Sequence, residues 1–297
     1  VKGWLEVTNM KQKVTLLHPH GPRRPVKVVA VTGGKGGVGK TSICANIAMA
    51  LAALGRRVLL VDGDLGLANA HLMFGLRPAR NLRHFVRGTH SLGDVVVEGP
   101  AGLKLVAGAS GFDDMANLQP SEHAGIIRAF NDLETHLDVM LIDTAPGIGD
   151  SVLQFAGAAH RSLVILRDEP ASIADAYAIV KLLHQRKQLA RFDIVTNMAT
   201  QSDGEAAFGK LNRAVERFLP VALTHAANIP ADERVARAVR SQTTVVASFP
   251  KSLAALALKR LAYRVDAWSV PTEPTGNIEF FADRLMRRKA RVVEIAL

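Results

Sequence analysis

One eight-residue stretch limits what this chain can fold into more than any other. Gly34-Lys35-Gly36-Gly37-Val38-Gly39-Lys40-Thr41 follows a β-branched run, Val26 to Thr32, and precedes a helix-forming run, Ser42 to Leu54. Its spacing fits G-x-x-x-x-G-K-[ST] in the strand–loop–helix setting that pattern needs. The glycines let successive backbone N–H groups face phosphate oxygens, and the helix that starts at Ser42 adds its partial positive end. In such a loop Lys40 reaches the β- and γ-phosphates and the Thr41 hydroxyl ligates Mg²⁺. Gly34, Lys35, Gly36, Gly37, Val38, Gly39, Lys40, Thr41 and Ser42 are therefore the candidate phosphate-binding residues.

From Val26 onward, short β-branched runs alternate with helical stretches. Strands are expected at Val26 to Thr32, Val58 to Asp62, Leu103 to Ala107, Val139 to Asp143, Leu163 to Leu166 and Ile194 to Asn197, then at Val221 to Ile229 and Thr243 to Ala247. Later helices are expected around Glu205 to Phe218, Asp232 to Ser241 and Leu253 to Asp266. Several strands are apolar on both faces, as happens when helices cover both sides of a parallel sheet. The pattern predicts a doubly wound, mostly parallel α/β sheet with one core over 26–270. A loose basic arm is expected over 1–25, with the native start left open between Val1 and Met10. A break at Pro271 to Gly276 precedes a C-terminal amphipathic helix over 277–297.

Composition narrows the class. Apolar residues make up 48% and charged residues 22%, which excludes wholesale disorder. The longest apolar stretch, Ile43 to Leu54, is too short for a membrane span and is broken by Asn46, and Val1 to Lys27 has no apolar signal-peptide core, so a cytoplasmic protein is expected. The single cysteine, Cys44, cannot form an internal disulfide. Net charge is +10, but residues 1–27 hold six Lys/Arg against one Glu and residues 278–297 hold five against three. The body is left with about +3, which argues against a nucleic-acid surface; no direct DNA binding is expected.

Two more segments end strands where α/β sheets place their ligands. Asp62-Gly-Asp64 closes the second strand and Asp143-Thr-Ala-Pro-Gly147 a later one. Both carboxylates of the first segment are expected near Mg²⁺ and the γ-phosphate, the alternative being an ordinary Asx turn. With its early lysine, Lys35-Gly-Gly-Val-Gly-Lys-Thr41 is the deviant Walker A signature, and the chain resembles the ATPase family that includes MinD, ParA and the nitrogenase iron protein. The resemblance implies an ATP-sandwich homodimer in which Lys35 touches the partner's nucleotide. It also implies catalytic roles for Lys35, Lys40 and Asp64, with Asp64 positioning the attacking water. Asp62 would hold a metal-bound water, Asp143 would join the Mg²⁺ shell beside Thr41, and Gly147 would sense the γ-phosphate. Asn197 matches the family's adenine-reading asparagine, with a strand-end cap as the alternative. Pro230 matches a loop that packs on the base.

Within that family, one cysteine is too few for iron–sulfur ligands, a second Walker A motif is missing, and two tyrosines are too few for a tyrosine-kinase tail. Asp62-Gly-Asp-Leu-Gly-Leu-Ala-Asn69, Ile148-Gly-Asp-Ser-Val152 and Asp168-Glu-Pro-Ala-Ser-Ile-Ala-Asp-Ala-Tyr177 closely resemble the FleN/FlhG family of flagellar number regulators, from about Val26 to Arg288. Pro146 and Arg167 depart from that pattern. The resemblance implies a weak, dimerisation-regulated ATPase that acts on a FleQ-type activator, with a FlhF GTPase and flagellar switch components as further partners. The alternatives are another MinD/ParA ATPase, for division-site placement or for DNA or cargo segregation, and a metabolic enzyme. At 100° per residue the C-terminal stretch puts Ile278, Phe281, Ala282, Leu285, Met286, Val292, Val293 and Ala296 on one stripe, with Glu279 and Phe280 on the polar side. Such a helix can lie on an anionic membrane or pack on the protein's own body.

Overall fold

The computed structural model describes residues 25–133, 136–270 and 278–283. The expected arm, the Pro/Gly break and most of the C-terminal helix lie outside the described residues. In chain order the elements are β1 (Lys27–Thr32), α1 (Lys40–Ala53), β2 (Val58–Gly63), α2 (Leu82–Val86), β3 (Val96–Glu98), β4 (Lys104–Val106), α3 (Asp113–Ala116), α4 (Pro120–Ala129), β5 (Val139–Thr144), α5 (Asp150–Gly157), β6 (Arg161–Leu166), α6 (Pro170–Lys187), β7 (Arg191–Asn197), α7 (Gln201–Phe218), β8 (Ala222–Ile229), α8 (Glu233–Arg240), α9 (Val245–Ser248) and α10 (Leu253–Ala267), with short 3₁₀ turns between some of them.

The strands form one sheet in the order β3-β4-β2-β5-β1-β6-β7-β8. Every pairing is parallel except β3 with β4. β3 has only three residues, too few to leave a period in the sequence. One sheet face packs with α1, α9 and α10, bringing together Ile47, Leu51, Leu60, Leu258 and Val265. The other face carries Phe130, Ile142, Phe155, Ile194 and Leu211. This is the expected doubly wound layout, and it explains the doubly apolar strands: β1, β2 and β5 are buried along their whole length. Because β1 sits between β5 and β6, the loop that leaves its carboxyl end opens in the middle of the sheet, where the connections turn from one side to the other.

The helix expected over Ser42 to Leu54 is present as α1, which is buried from Ile43 to Ala52. Its buried Asn46 donates to the Ser42 carbonyl (2.7 Å) and accepts from the Val246 amide (3.1 Å). That second bond explains a correction. Thr243 to Ala247 reads as a strand because it is β-branched, but the chain instead turns into α9, whose Val245 and Val246 are buried on the α1 side. Packing against α1 outweighs β propensity there. Among the described residues no helix is long and apolar enough to cross a membrane.

A second correction concerns the start of the C-terminal stretch. Phe280 and Phe281, expected on opposite sides of a helix, are both buried in the core, and so is Glu279. Phe281 has φ +56°, which breaks the helical phase and lets both rings turn inward. Phe280 meets Phe130 edge-on (centroids 5.2 Å apart) and stacks on Phe155 (6.3 Å), while Phe281 meets Phe130 edge-on (6.2 Å). Aromatic burial of this kind anchors the segment to the body.

Candidate functional site

The site is built from loops at the carboxyl ends of β1, β2, β5, β6, β7 and β8. Gly39 immediately precedes α1 with φ +98°, a left-handed conformation natural to glycine. A Cβ at this position would also run into the Asn197 amide nitrogen. No side chain caps α1 and no acidic residue lies in its first turn, so its first N–H groups and its positive end face the loop uncompensated. Lys40 is 7% exposed, and its Nζ donates to the Lys35 carbonyl (3.3 Å). Burial lowers its pKa, while Asp143 and Asp64 pull the other way. A buried ammonium held by one long hydrogen bond is poised for a stronger anionic partner.

Asp62 and Asp143 are partners in the parallel register of β2 and β5, and both are buried. Asp62 accepts backbone hydrogen bonds from Asp64 (3.2 Å) and Ala70 (2.9 Å). Asp143 is bonded by the Thr41 side chain, yet its Oδ1 is buried with no partner. Burial raises the pKa of both carboxyls; the neighbouring charge of Asp64 adds to it at Asp62, and that of Asp62 adds to it at Asp143. Two facing acids and one orphaned oxygen beside a threonine hydroxyl are an oxygen donor set suited to a hard divalent cation, and the few protein ligands match Mg²⁺, which keeps several waters. The residues therefore fit the metal. No group of three or more His, Cys, Asp or Glu suited to a metal occurs among the described residues.

Asp64 lies on the same rim, partly exposed, with Oδ1 accepting from the Leu67 amide (3.0 Å). The Asx-turn alternative is thus present in the structure, and it leaves the second oxygen for other work. Gly147 has φ +92° with open space around it, and Pro146 is exposed. Lys35, its side chain 42% exposed, pairs with Glu169, which also pairs with Arg167 (3.2 Å). The Lys35 ammonium, helped by Arg167, holds the Glu169 carboxyl below the usual range. Nothing local in Asp168-Glu169-Pro170 signals this role for Glu169, because its partner Lys35 lies 134 positions away.

Asn197 ends β7, and its side chain reaches the phosphate loop. It is 5% exposed, and its Nδ2 donates to the Val38 carbonyl (2.7 Å), so its NH₂ braces the phosphate loop. Pro230 lines a cavity of about 350 Å³ together with Ala231, Met198, Ala199, Thr200 and Arg167. That volume is in the range of small-molecule sites. The cavity residues Met198 to Thr200 carry no motif and were not foreseen.

Comparison with known proteins agrees with this geometry. The family model ParA, described as NUBPL iron-transfer P-loop NTPase, matches residues 25–266. Antiactivator FleN of Pseudomonas aeruginosa is 49% identical over 271 residues, covering 91% of this chain and 97% of that protein. Flagellum site-determining protein YlxH of Helicobacter pylori is 32% identical over 186 residues, 62% of this chain and 63% of that one. Among solved structures, septum site-determining protein MinD from Pyrococcus horikoshii, complexed with Mg-ADP, superposes with a TM-score of 0.69 at 25% identity, covering 82% of this chain and 96% of that chain. The chain has a single cysteine, Cys44, buried in α1.

Proposed function

The chain belongs to the MinD/ParA family of P-loop NTPases, and from that membership we propose that it is an ATP-driven dimerising switch that regulates flagellar number or placement as a FleN-type antiactivator. The 49% identity to antiactivator FleN across 91% of the chain carries this reading, because a span that long takes in every segment of the site.

In the proposed cycle the N–H groups from Gly34 to Thr41 hold the phosphates and Lys40 exchanges the Lys35 carbonyl for their oxygens. Thr41, Asp62 and Asp143 would hold Mg²⁺. Bound Mg²⁺ would neutralise charge that develops on the phosphate oxygens. Asp64 orients the attacking water. Lys35 leaves Glu169 for the nucleotide of a second subunit, so full charge stabilisation exists only in the dimer and turnover of the monomer stays low. Pro230 packs against the base, and Asn197 supports the loop that holds the phosphates. The partners follow from the same reading: an enhancer-binding activator of the FleQ kind, a FlhF-type GTPase and flagellar switch components, with no direct contact to DNA.

Expression of this chain in Pseudomonas aeruginosa lacking FleN tests the reading. Normal flagellar number should return with the wild-type chain and not with Lys40→Ala. A folded, ATP-binding chain that leaves the number uncorrected would point to another MinD/ParA role, such as division-site placement or cargo segregation.

Peripheral attachment to an anionic membrane is proposed for the segment beyond Asp283. Because Phe280 and Phe281 belong to the core, the truncation that tests it must end at Asp283 and leave both rings in place. Flotation with anionic liposomes should require ATP, weaken with salt and disappear on that truncation. Equal flotation of the full and truncated chains would contradict it.

A further inference from the structure

The cavity beside the phosphate loop is lined from three loops far apart in sequence: Arg167 to Glu169 after β6, Met198 to Thr200 with Asp203 after β7, and Pro230 with Ala231 after β8. Met198 holds φ +57°, a conformation costly for a residue with a side chain, so this turn needs outside support. The support comes from Asn228. Its Nδ2 donates to the Ala199 carbonyl (3.0 Å), and two residues further along its own chain Pro230 begins another wall. The Ala199 amide also reaches the Ile229 carbonyl (3.4 Å), a second and longer tie between the same loops.

The orientation of that amide is itself fixed. Asn228 Oδ1 accepts from the Thr196 hydroxyl (2.8 Å), and Thr196 Oγ1 lies 2.9 Å from His225 Nε2. Since the hydroxyl has one proton and gives it to Asn228, His225 must donate from Nε2. All three side chains meet because of a bulge. The register runs Ile194↔His225 and then Val195↔Ala227, leaving Ala226 unmatched. This extra residue shifts the alternation, so that His225 and Asn228, three apart, face the same side as Thr196.

Helix α7 is shaped to cover this chain of hydrogen bonds. A Cβ at Gly204 would run into Asn228 Oδ1 and would lie 2.7 Å from Thr196 Oγ1. One turn later Phe208 stacks on the His225 ring, centroids 4.9 Å apart and nearly parallel. The network is thus packed and oriented before any ligand arrives.

We infer that Asn228 is a positioning residue for the nucleoside half of the substrate: by tying the β7–α7 loop to the β8–α8 loop it presets the cavity into which base and ribose enter. The inference rests on the nucleotide-binding reading above. Asn228 touches neither phosphate nor reacting atoms, so its effect belongs to binding and not to chemistry.

The test is a comparison of two ligands on the full chain, ATP and inorganic tripolyphosphate, by titration calorimetry. Asn228→Ala should weaken ATP by about threefold to tenfold, the usual worth of one hydrogen bond, while tripolyphosphate, which has no nucleoside, binds as to wild type. The rate at saturating ATP should stay within about twofold of wild type. Asn228→Asp is the second variant, because it is nearly isosteric and keeps an acceptor for Thr196 but cannot donate to Ala199; it should show the same split. Unchanged ATP affinity, or parallel loss of ATP and tripolyphosphate, would overturn the inference. Wild-type chain that binds tripolyphosphate as tightly as ATP would show that no nucleoside enters the cavity, and wild-type chain that binds neither would remove the nucleotide reading itself.

Discussion

Lys40→Ala should leave a folded chain that no longer binds ATP. Lys40 is buried beside the Asp143 and Asp64 carboxylates and spends its charge on one long bond to the Lys35 carbonyl, so a triphosphate gains its full pairing with little competition. Truncating one partner of a buried, hydrogen-bonded charge pair costs about 2–5 kcal/mol, which is roughly thirtyfold to several thousandfold in affinity. Titration calorimetry with Mg-ATP reads the loss directly, and far-UV circular dichroism with a thermal melt keeps it separate from unfolding. Retained affinity within a few-fold of wild type would mean that the phosphates bind elsewhere.

Asp64→Ala should do the opposite: keep ATP bound and stop turnover, with the rate falling by about tenfold to a thousandfold. The structure adds a control. Asp64 Oδ1 caps the turn to Leu67, so alanine removes both a charge and a local hydrogen bond. Asp64→Asn keeps an acceptor for the Leu67 amide and removes the charge alone. If orienting water is what matters, the two variants should lose comparable activity. Full activity in Asp64→Asn with a slow Asp64→Ala would assign the residue to the turn.

The phosphate loop was legible because its chemistry requires fixed residue types at fixed spacing between a strand and a helix, and Gly34 to Thr41 has both. The strands on either side were legible for a different reason: β1, β2 and β5 are buried on both faces and so read as continuous apolar runs. What escaped depended on contacts distant in sequence. Asn197 faces Val38 across 159 positions, and Lys35 meets Glu169 across 134, so neither orientation has a local signal. Thr243 to Ala247 has strand composition, but Asn46, 200 positions from Val246, fixes it as a short helix. Phe280 falls on the polar face only if one helical phase runs on through Phe281, where the backbone turns left-handed.

In the proposed cycle Lys35 is the residue on which the switch depends, since it would exchange Glu169 for the nucleotide of another copy. Sedimentation velocity of the Asp64→Ala chain, which should hold ATP without consuming it, measures that exchange as a change in mass. A dimer with Mg-ATP, a monomer with Mg-ADP, and a monomer with Mg-ATP once Lys35→Ala is added are the expected results. One species of the same mass under all three conditions would contradict an ATP-driven dimer.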